Sequence, residues 1–574
     1  MGRFRIQICA LLFASATLAG GVHAQSDEDD VLLRALQDEM ARTLSDLRLD
    51  LEPPPYFVAY TVSESKSTNT TYVLGAHNGS NESRGRFLSV VVRVGTPELD
   101  NTNFTNFGGG FFGGSSNRVP LTASYDELRR VIWLATDAAY KRAVADLAAK
   151  KAALEQQTIS DRPNDFSEEE TFTHMGDNSY DALSIEELSQ IAQVLSSAFR
   201  GMPDLHASVA RLTSVANKRM YLDSEGNFSH YETGLCTASM YARTQTLEGA
   251  GISDGVSFYS RSCEDLPAID EMKSSGQEMA MRLVASRSAE ALDNYNGPVL
   301  LEEQAAAEFL SQNLIGRLGA EPSSISNNPN YAARQRNFAN PFLDRVNARV
   351  FPRFLSVVND PTLLEFEGNK LLGHYVVDNQ GMPSRRVELI SNGMLKALLT
   401  SRSPTKSFEN STGSSRGSST PAPGNLFIEA KEGMSNEELN EELLTLADEY
   451  GLEYGLVLRK IMNPRDAFQD PFRSSPFQSG SPPALDLVKL YPDGSEVPVL
   501  PMTVSNFVVS FFKDIIAVSE DRFIYDVPLA TGGLNFATIV TPSLLFEDLS
   551  MRSAGGAKPK LPLFPHPFAG EAGE

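Results

Sequence analysis

Several stretches of the chain repeat apolar residues every third or fourth position, the spacing of a helix with one buried face. In 27–49 the repeat is Val31, Leu32, Leu36, Met40 and Leu44. It follows a first turn of Asp27, Glu28, Asp29 and Asp30, where the helix dipole favours anions, and Pro53, Pro54 and Pro55 stop the run. In 124–156 the stripe is Leu128, Ile132, Ala135, Ala139, Ala143 and Leu147. Ser184 with Glu187 three residues later forms the capping box of a helix running to Phe199, and 270–292 is helical again. Aromatic and β-branched residues mark 56–63, 70–76 and 87–94 as strands. From 206 to 262 the pattern predicts short strands broken by turns at 223–227 and 249–251.

A boundary is expected at 294–298, after which the chain becomes β-rich. One helix opens this half, across 301–319. Ala306, Phe309, Leu310, Leu314 and Leu318 share a face, and Gly319 can end it. Glu302 and Glu303 then serve as first-turn acids, with Glu308 farther along. Hairpin turns are predicted at Asn392-Gly393 and Asp493-Gly494. Ser-, Pro- and Asn-rich stretches at 321–341, 401–424 and 463–483 interrupt the strands as loops. The fold class is therefore α+β. An N-terminal α/β domain at 25–293 has a mixed sheet with flanking helices. A β-rich barrel or sandwich at 294–552 follows it, and a Gly/Pro/Lys-rich disordered tail closes the chain at 553–574.

The first 24 residues read as an address. Arg3 and Arg5 precede an apolar run at 6–19, and Val22-His23-Ala24 before Gln25 is the small-residue pattern of a secretory cleavage site. The run is too short to span a bilayer, which takes about 20 apolar residues, so a soluble exported protein, periplasmic or extracellular, is expected. Cleavage would remove Cys9, leaving Cys236 and Cys263 as a possible disulfide or as two small buried residues. With 50 Lys and Arg against 73 Asp and Glu the formal charge is −23, which disfavours nucleic acid. Three cysteines cannot build a four-Cys zinc site.

Motifs for local chemistry are sparse. None of the histidines at 77, 174, 206, 230, 374 and 566 stands four or five residues from another, so no helical two-histidine metal face is encoded. Ser403-Pro404-Thr405-Lys406 has the S-x-x-K spacing, but its usual partner motifs are missing, and Ser403 reads equally as a helix N-cap with Pro404 at the first helical position. Gly413 to Gly417 fits G-x-S-x-G without the strand before it or the helix after it. Gly108 to Gly113 fits G-x-G-x-x-G without a helix to hold a pyrophosphate. Asp223 to Asn227 offers the oxygens of a calcium loop but lacks its length and closing Glu, which leaves a hairpin turn.

The strand PVLL at 298–301, the alanine-rich helix after it, and the runs DNQGMPSRR at 378–386, LISNGMLK at 389–396 and NSTGSSRG at 410–417 together resemble the TldD/PmbA family of peptidases. That family was once called modulator of DNA gyrase. The resemblance extends from the first helix to Arg552. In the family the catalytic TldD type carries His-Glu-x-x-x-His on this helix and a later cysteine as a further zinc ligand. The matching positions here are Ser311, Gln312 and Gly316, and no cysteine follows Cys263. The chain is in this respect similar to the PmbA (TldE) type, the partner that lacks the zinc motif in a heterodimer enclosing a peptide tunnel. What the resemblance implies is an exported peptide-binding or non-catalytic partner subunit, not catalytic alone, with no metal and no other cofactor. Its partners would be a peptide or protein substrate and a homologous TldD-type subunit or a second copy of itself. Two readings stay open beside it. One is an active metallopeptidase with ligands assembled by folding, such as His206 or His230 with Glu302 or Glu303; the other is a purely structural assembly component.

Overall fold

Period-two alternation shapes the first half of the molecule. In the computed structural model, which describes residues 27–106, 117–157, 162–328, 330–331, 340–417, 420–463, 483–505, 507–529 and 534–554, helix α1 (Asp27–Asp46) leads into a long hairpin. The signal segment, the glycine motif at 108–113 and the tail beyond Ala554 lie outside the described residues, as do parts of the loops at 104–117, 321–341, 401–424 and 463–483. Strands β1 (Pro55–Val73) and β2 (Ala76–Thr96) form the hairpin, turning at Leu74 and Gly75, both with positive φ. After α2 (Tyr125–Gln157) and α3 (Ile185–Ser196) come β3 (Ala207–Asp223), β4 (Phe228–Gln245) and β5 (Gly251–Ser260), and then α4 (Ile269–Ala285). The strand order β2-β1-β3-β4-β5 is antiparallel throughout, and one short parallel strand, Thr173–Met175, beside β4 makes the sheet mixed.

The separate strands expected at 56–63 and 70–76 are one strand. Polar residues 64–69 carry no apolar signal, yet each is paired on both sides, Thr68 with Glu82 and with Ser214, so the backbone ladder holds them extended. Helix α4 stops at Ala285 and a 3₁₀ turn follows at Ser286–Ser288, short of the 292 expected. The capping box of Ser184 and Glu187 is present as read.

Even-numbered positions of the sheet, among them Val58, Tyr60, Val62, Leu212, Met220 and Met240, pack under all four helices. Odd-numbered positions face the other way, toward the second half of the chain.

That second half is built from β6 (Asn294–Leu301), α5 (Glu303–Asn313), β7 (Leu355–Asn359), β8 (Val387–Ser391), β9 (Asn425–Ala430), α6 (Asn436–Glu449), β10 (Gly455–Ile461), β11 (Ala484–Leu490), β12 (Met502–Val504), β13 (Ile515–Pro528) and β14 (Phe536–Ser553). Strand β6 pairs with β10 in parallel and with β14 antiparallel, and β10, β11, β12 and β14 complete the circuit. Of the two expected alternatives, barrel and sandwich, the chain forms the barrel. Val299, Leu301, Leu456, Leu458 and Phe546 share a core with Ala306, Phe309 and Leu310 of α5, while the alternate residues Leu300, Val457 and Leu545 pack on α6. Helix α6 was not anticipated, although Ser435 and Glu438 form a capping box ahead of the buried Leu439, Leu443 and Ala447. Hairpins turn at Asn392-Gly393 and Asp493-Gly494 as predicted. Among the described residues no helix is long and apolar enough to cross a membrane.

Candidate functional site

Helix α5 carries Ser311 and Gln312, two of the three positions that the resemblance aligns with the zinc motif, and Gly316 follows in the turn after it, so the chemistry of this segment comes first. Gln304, Glu308 and Gln312 stand four residues apart on one face. The Gln304 amide spans the backbone of Ile461, donating to its carbonyl at 3.0 Å and accepting from its N–H at 2.9 Å. Glu308 is fully buried; its carboxylate accepts from the Tyr525 hydroxyl at 2.7 Å and from Gln312 Nε2 at 3.0 Å. Gln312 Nε2 also donates to the Met462 carbonyl at 3.0 Å. Ser311 is half-buried, and Gly316 lies in the 3₁₀ turn Ile315–Arg317 with open space where a side chain would point. A hydroxyl, an amide nitrogen already donating twice and a residue with no side chain do not fit a zinc ion, which takes imidazole, thiolate or carboxylate donors.

The alternative ligand set does not assemble either. Glu302 is held by Arg459 at 3.0 Å, and Arg459 also grips Glu496 at 2.6 Å. His230 sits in the other half, in the field of Asp29, Lys218 and Glu232, and burial lowers its pKa. Among the described residues no three His, Cys, Asp or Glu side chains gather into a group able to hold a metal.

Other sequence motifs resolve into structure. Ser403 is buried, Lys406 is exposed and neither lies on a helix, which removes both the S-x-x-K reading and the N-cap reading. Asp223 accepts from the N–H groups of Glu225, Gly226 and Asn227, an Asx-type turn closing the β3–β4 hairpin. Cys236 and Cys263 form a disulfide that ties β4 to the turn before α4.

Between the two halves lies a cleft of about 1210 Å³. Its floor is the odd-numbered sheet face, with Phe57, Thr61, Ser63, Arg219 and Tyr221, and its opposite wall includes Tyr375, Arg402 and Arg416. The wall is knitted from two of the runs quoted for the family resemblance. Asp378 accepts from the N–H groups of Gln380, Met382 and Ser415, Asn379 donates to the carbonyls of Ser415 and Gly417, and the Tyr375 hydroxyl donates to the Gly413 carbonyl. Gly413 is required there. Its φ is +67°, and a Cβ would lie 1.9 Å from the Pro383 carbonyl oxygen. Within the stretch at 401–424, expected as a loop, residues 401–405 and 411–416 are irregular yet buried or half-buried, because most of their hydroxyl and backbone groups find partners within this network.

Arginines dominate the cleft. The Phe166 ring is sandwiched between the guanidinium groups of Arg93 and Arg402, each 3.8 Å from its centroid. Arg93 is paired with Asp100 at 2.7 Å and Arg402 with Glu225 at 2.5 Å. Among the described residues Arg219, Arg261 and Arg416 have no such pairing and hydrogen-bond chiefly to backbone carbonyls. Sequence reasoning missed all five, since they come from separate strands and loops and share no local spacing; Arg416 alone fell inside a quoted motif.

A sequence profile of the PmbA/TldA metallopeptidase C-terminal domain matches residues 294–553. No curated protein matches the sequence. Three solved structures share the fold. A candidate modulator of a DNA gyrase from Thermotoga maritima is 15% identical with a TM-score of 0.56, covering 86% of this chain and 96% of its own. TldE from Thermococcus kodakarensis is 14% identical with a TM-score of 0.54, covering 92% and 100%. A candidate modulator of DNA gyrase from Bacteroides thetaiotaomicron is 14% identical with a TM-score of 0.59, covering 92% and 99%. Residues 294–553 are therefore a C-terminal domain of the PmbA/TldD family, and the fold shared with the three solved structures extends along most of the chain.

Proposed function

We propose that this protein is an exported, zinc-free member of its family that binds extended peptide in the cleft, either alone or beside a homologous TldD-type subunit. The observation that carries the reading is the cleft itself. Its floor is a polar sheet face left uncovered by the four helices, and its walls bring aromatic rings and hydrogen-bonding groups to a volume large enough for several residues of a peptide. Strand addition to the barrel is a poorer route, because the ring of β6, β10, β11, β12 and β14 closes on itself. The edge strand β5 is blocked at Asp254 and Gly255, both of which Lys460 holds through its ammonium group at 2.6 and 2.7 Å. The side chains at 311, 312 and 316 favour a binding role over hydrolysis.

The test uses the mature chain purified after export. Peptide binding that persists in a chelator, with metal content far below one zinc per chain after equilibration with zinc, is the expected result. Stoichiometric zinc together with chelator-sensitive peptide cleavage would overturn it.

A further inference from the structure

Three guanidinium groups of the cleft form no direct ion pair among the described residues, although the buried Asp378 and Asp526 stand in their field. Arg416 is almost completely buried. Its guanidinium lies 4.1 Å over the Tyr375 ring, Nη2 donates to the Phe536 carbonyl at 3.2 Å, and Nη1 has no partner among the described residues. Arg261 donates to Thr233 Oγ1 and to the carbonyls of Gly234, Leu534 and Leu372, and forms no ion pair among the described residues. Burial, reinforced by the neighbouring Arg416, brings its pKa down to about 10. Arg219 donates to the Asn379 carbonyl at 3.2 Å and leaves Nε unpartnered. His374 stands in the field of both Arg261 and Arg416, and burial lowers its pKa. Of the carboxylates here, Asp265 pairs with Lys370, Glu232 with Lys218 and Asp177 stands in the field of His174, while Asp378 and Asp526 accept from neutral donors and touch none of the three guanidinium groups among the described contacts. Guanidinium groups held out of water without a counter-ion are costly in a folded protein. In a chain of net charge −23, three such groups lining one cleft, Arg219 on its floor and Arg416 on the wall facing it, call for an anion from outside.

We infer that the cleft carries a carboxylate site in which Arg219, Arg261 and Arg416 receive an anionic group of a bound peptide, either its C-terminal carboxylate or an Asp or Glu side chain. The source of the carboxylate rests on the peptide-binding reading; the anion site rests on the arginines alone. Planar guanidinium groups suit the planar carboxylate, and the pairing is charge-assisted in a partly desolvated space.

Three fluorescent peptides with otherwise neutral side chains test this by anisotropy against the mature protein. The first has a free C-terminus, the second is amidated, and the third is amidated with one internal Glu. One or both of the carboxylate-bearing peptides should bind at least about tenfold tighter than the neutral amide, and which one does so names the source. That gain should shrink in high salt and disappear in Arg219→Gln, a half-buried position, and in Arg416→Gln. Equal affinity for all three peptides overturns the carboxylate site and leaves peptide binding standing. Should no peptide bind, succinate decides. A rise in melting temperature for the wild type, absent in Arg219→Gln, keeps the anion site and sinks the peptide reading, whereas no rise sinks the anion site as well.

Discussion

Two sets of buried polar groups, one on α5 and one around the cleft, have opposite outcomes. On α5, Gln304, Glu308 and Gln312 meet Tyr525, Ile461 and Met462 in a network that consumes the donors and acceptors it buries. Around the cleft, Arg416 and Arg219 keep N–H groups with no acceptor among the described residues. A satisfied network stabilises and specifies the fold, whereas an unsatisfied one costs stability until something else completes it. The helix that would carry zinc in a catalytic relative is thus the self-sufficient region, and the cleft is the region that waits for a ligand.

Removing the centre of the first network should have the largest effect of any single substitution on stability. Glu308→Ala leaves the Tyr525 hydroxyl and the Gln312 amide without their acceptor in a closed interior, and a loss of about 3 kcal/mol is expected in denaturant titration. Arg219→Gln, by contrast, should cost less than about 1 kcal/mol, since it removes one hydrogen bond to the Asn379 carbonyl. If the two variants were equally destabilised, the contrast between a structural network and a ligand site would be lost.

The disulfide sharpens the same contrast from the cleft side. Cys236 and Cys263 close a loop of separation 27, with Cys263 two residues beyond Arg261, and replacing both by Ser should cost about 3.5 kcal/mol. Gly234, whose Cβ would lie 2.3 Å from the Arg261 carbonyl oxygen, shows how closely that backbone is held. Thermal melts with and without reductant measure the stability. Carboxylate affinity should fall along with it as Arg261 loses its anchor.

Much of the scaffold was legible in the chain. The stripe of Leu128, Ile132 and Ala135 and the box of Ser184 and Glu187 are local signals, and local physics determines such helices. Long strands through 64–69 were not, because pairing on two sides replaced the apolar residues a reader looks for. The Ser/Gly stretch at 401–424 gave a loop signature, and nothing local announces that it folds into a buried wall around Asp378. For the candidate site, residues 311 and 312 lie on a helix as the spacing predicts, but that helix ends at Asn313, short of the expected 319, and Gly316 falls in a 3₁₀ turn. The placing of Arg219, Arg261 and Arg416 around one cleft is set by tertiary topology alone.

A pH series separates the cleft wall from the rest of the molecule by a somewhat smaller amount. Burial pushes the Asp526 carboxyl up to about 6, against the stabilising field of Arg261 and the hydrogen bond from Thr538. Its folded value exceeds the unfolded one of about 3.9, so below that pH both states are protonated and the residue costs nothing. As pH rises toward 6 the unfolded chain ionises first, and the folded state loses stability, on the order of 2 kcal/mol in total. Asp526→Asn cannot ionise, so the variant should gain on the wild type between about pH 4 and pH 6.5 and then run parallel to it. A flat difference across that range would mean that the carboxyl is not held in its protonated form.

The smallest effects are expected where a zinc ligand would have to stand. Gly316→Ala adds a methyl into open space, in a turn whose φ is not left-handed, and Ser311→Ala removes a half-buried hydroxyl. Each should change stability by no more than about 0.5 kcal/mol. Equilibrating the wild type with zinc should leave its melting temperature where it was, since a cation stabilises a fold only in proportion to its affinity for it. A catalytic centre would behave in the opposite way, with quiet substitutions impossible and metal strongly protective. If Gly316→Ala or Ser311→Ala proved costly, or zinc raised the melting temperature by several degrees, α5 would have to be counted with the cleft as a place built for a ligand, and the division between the two regions would fail.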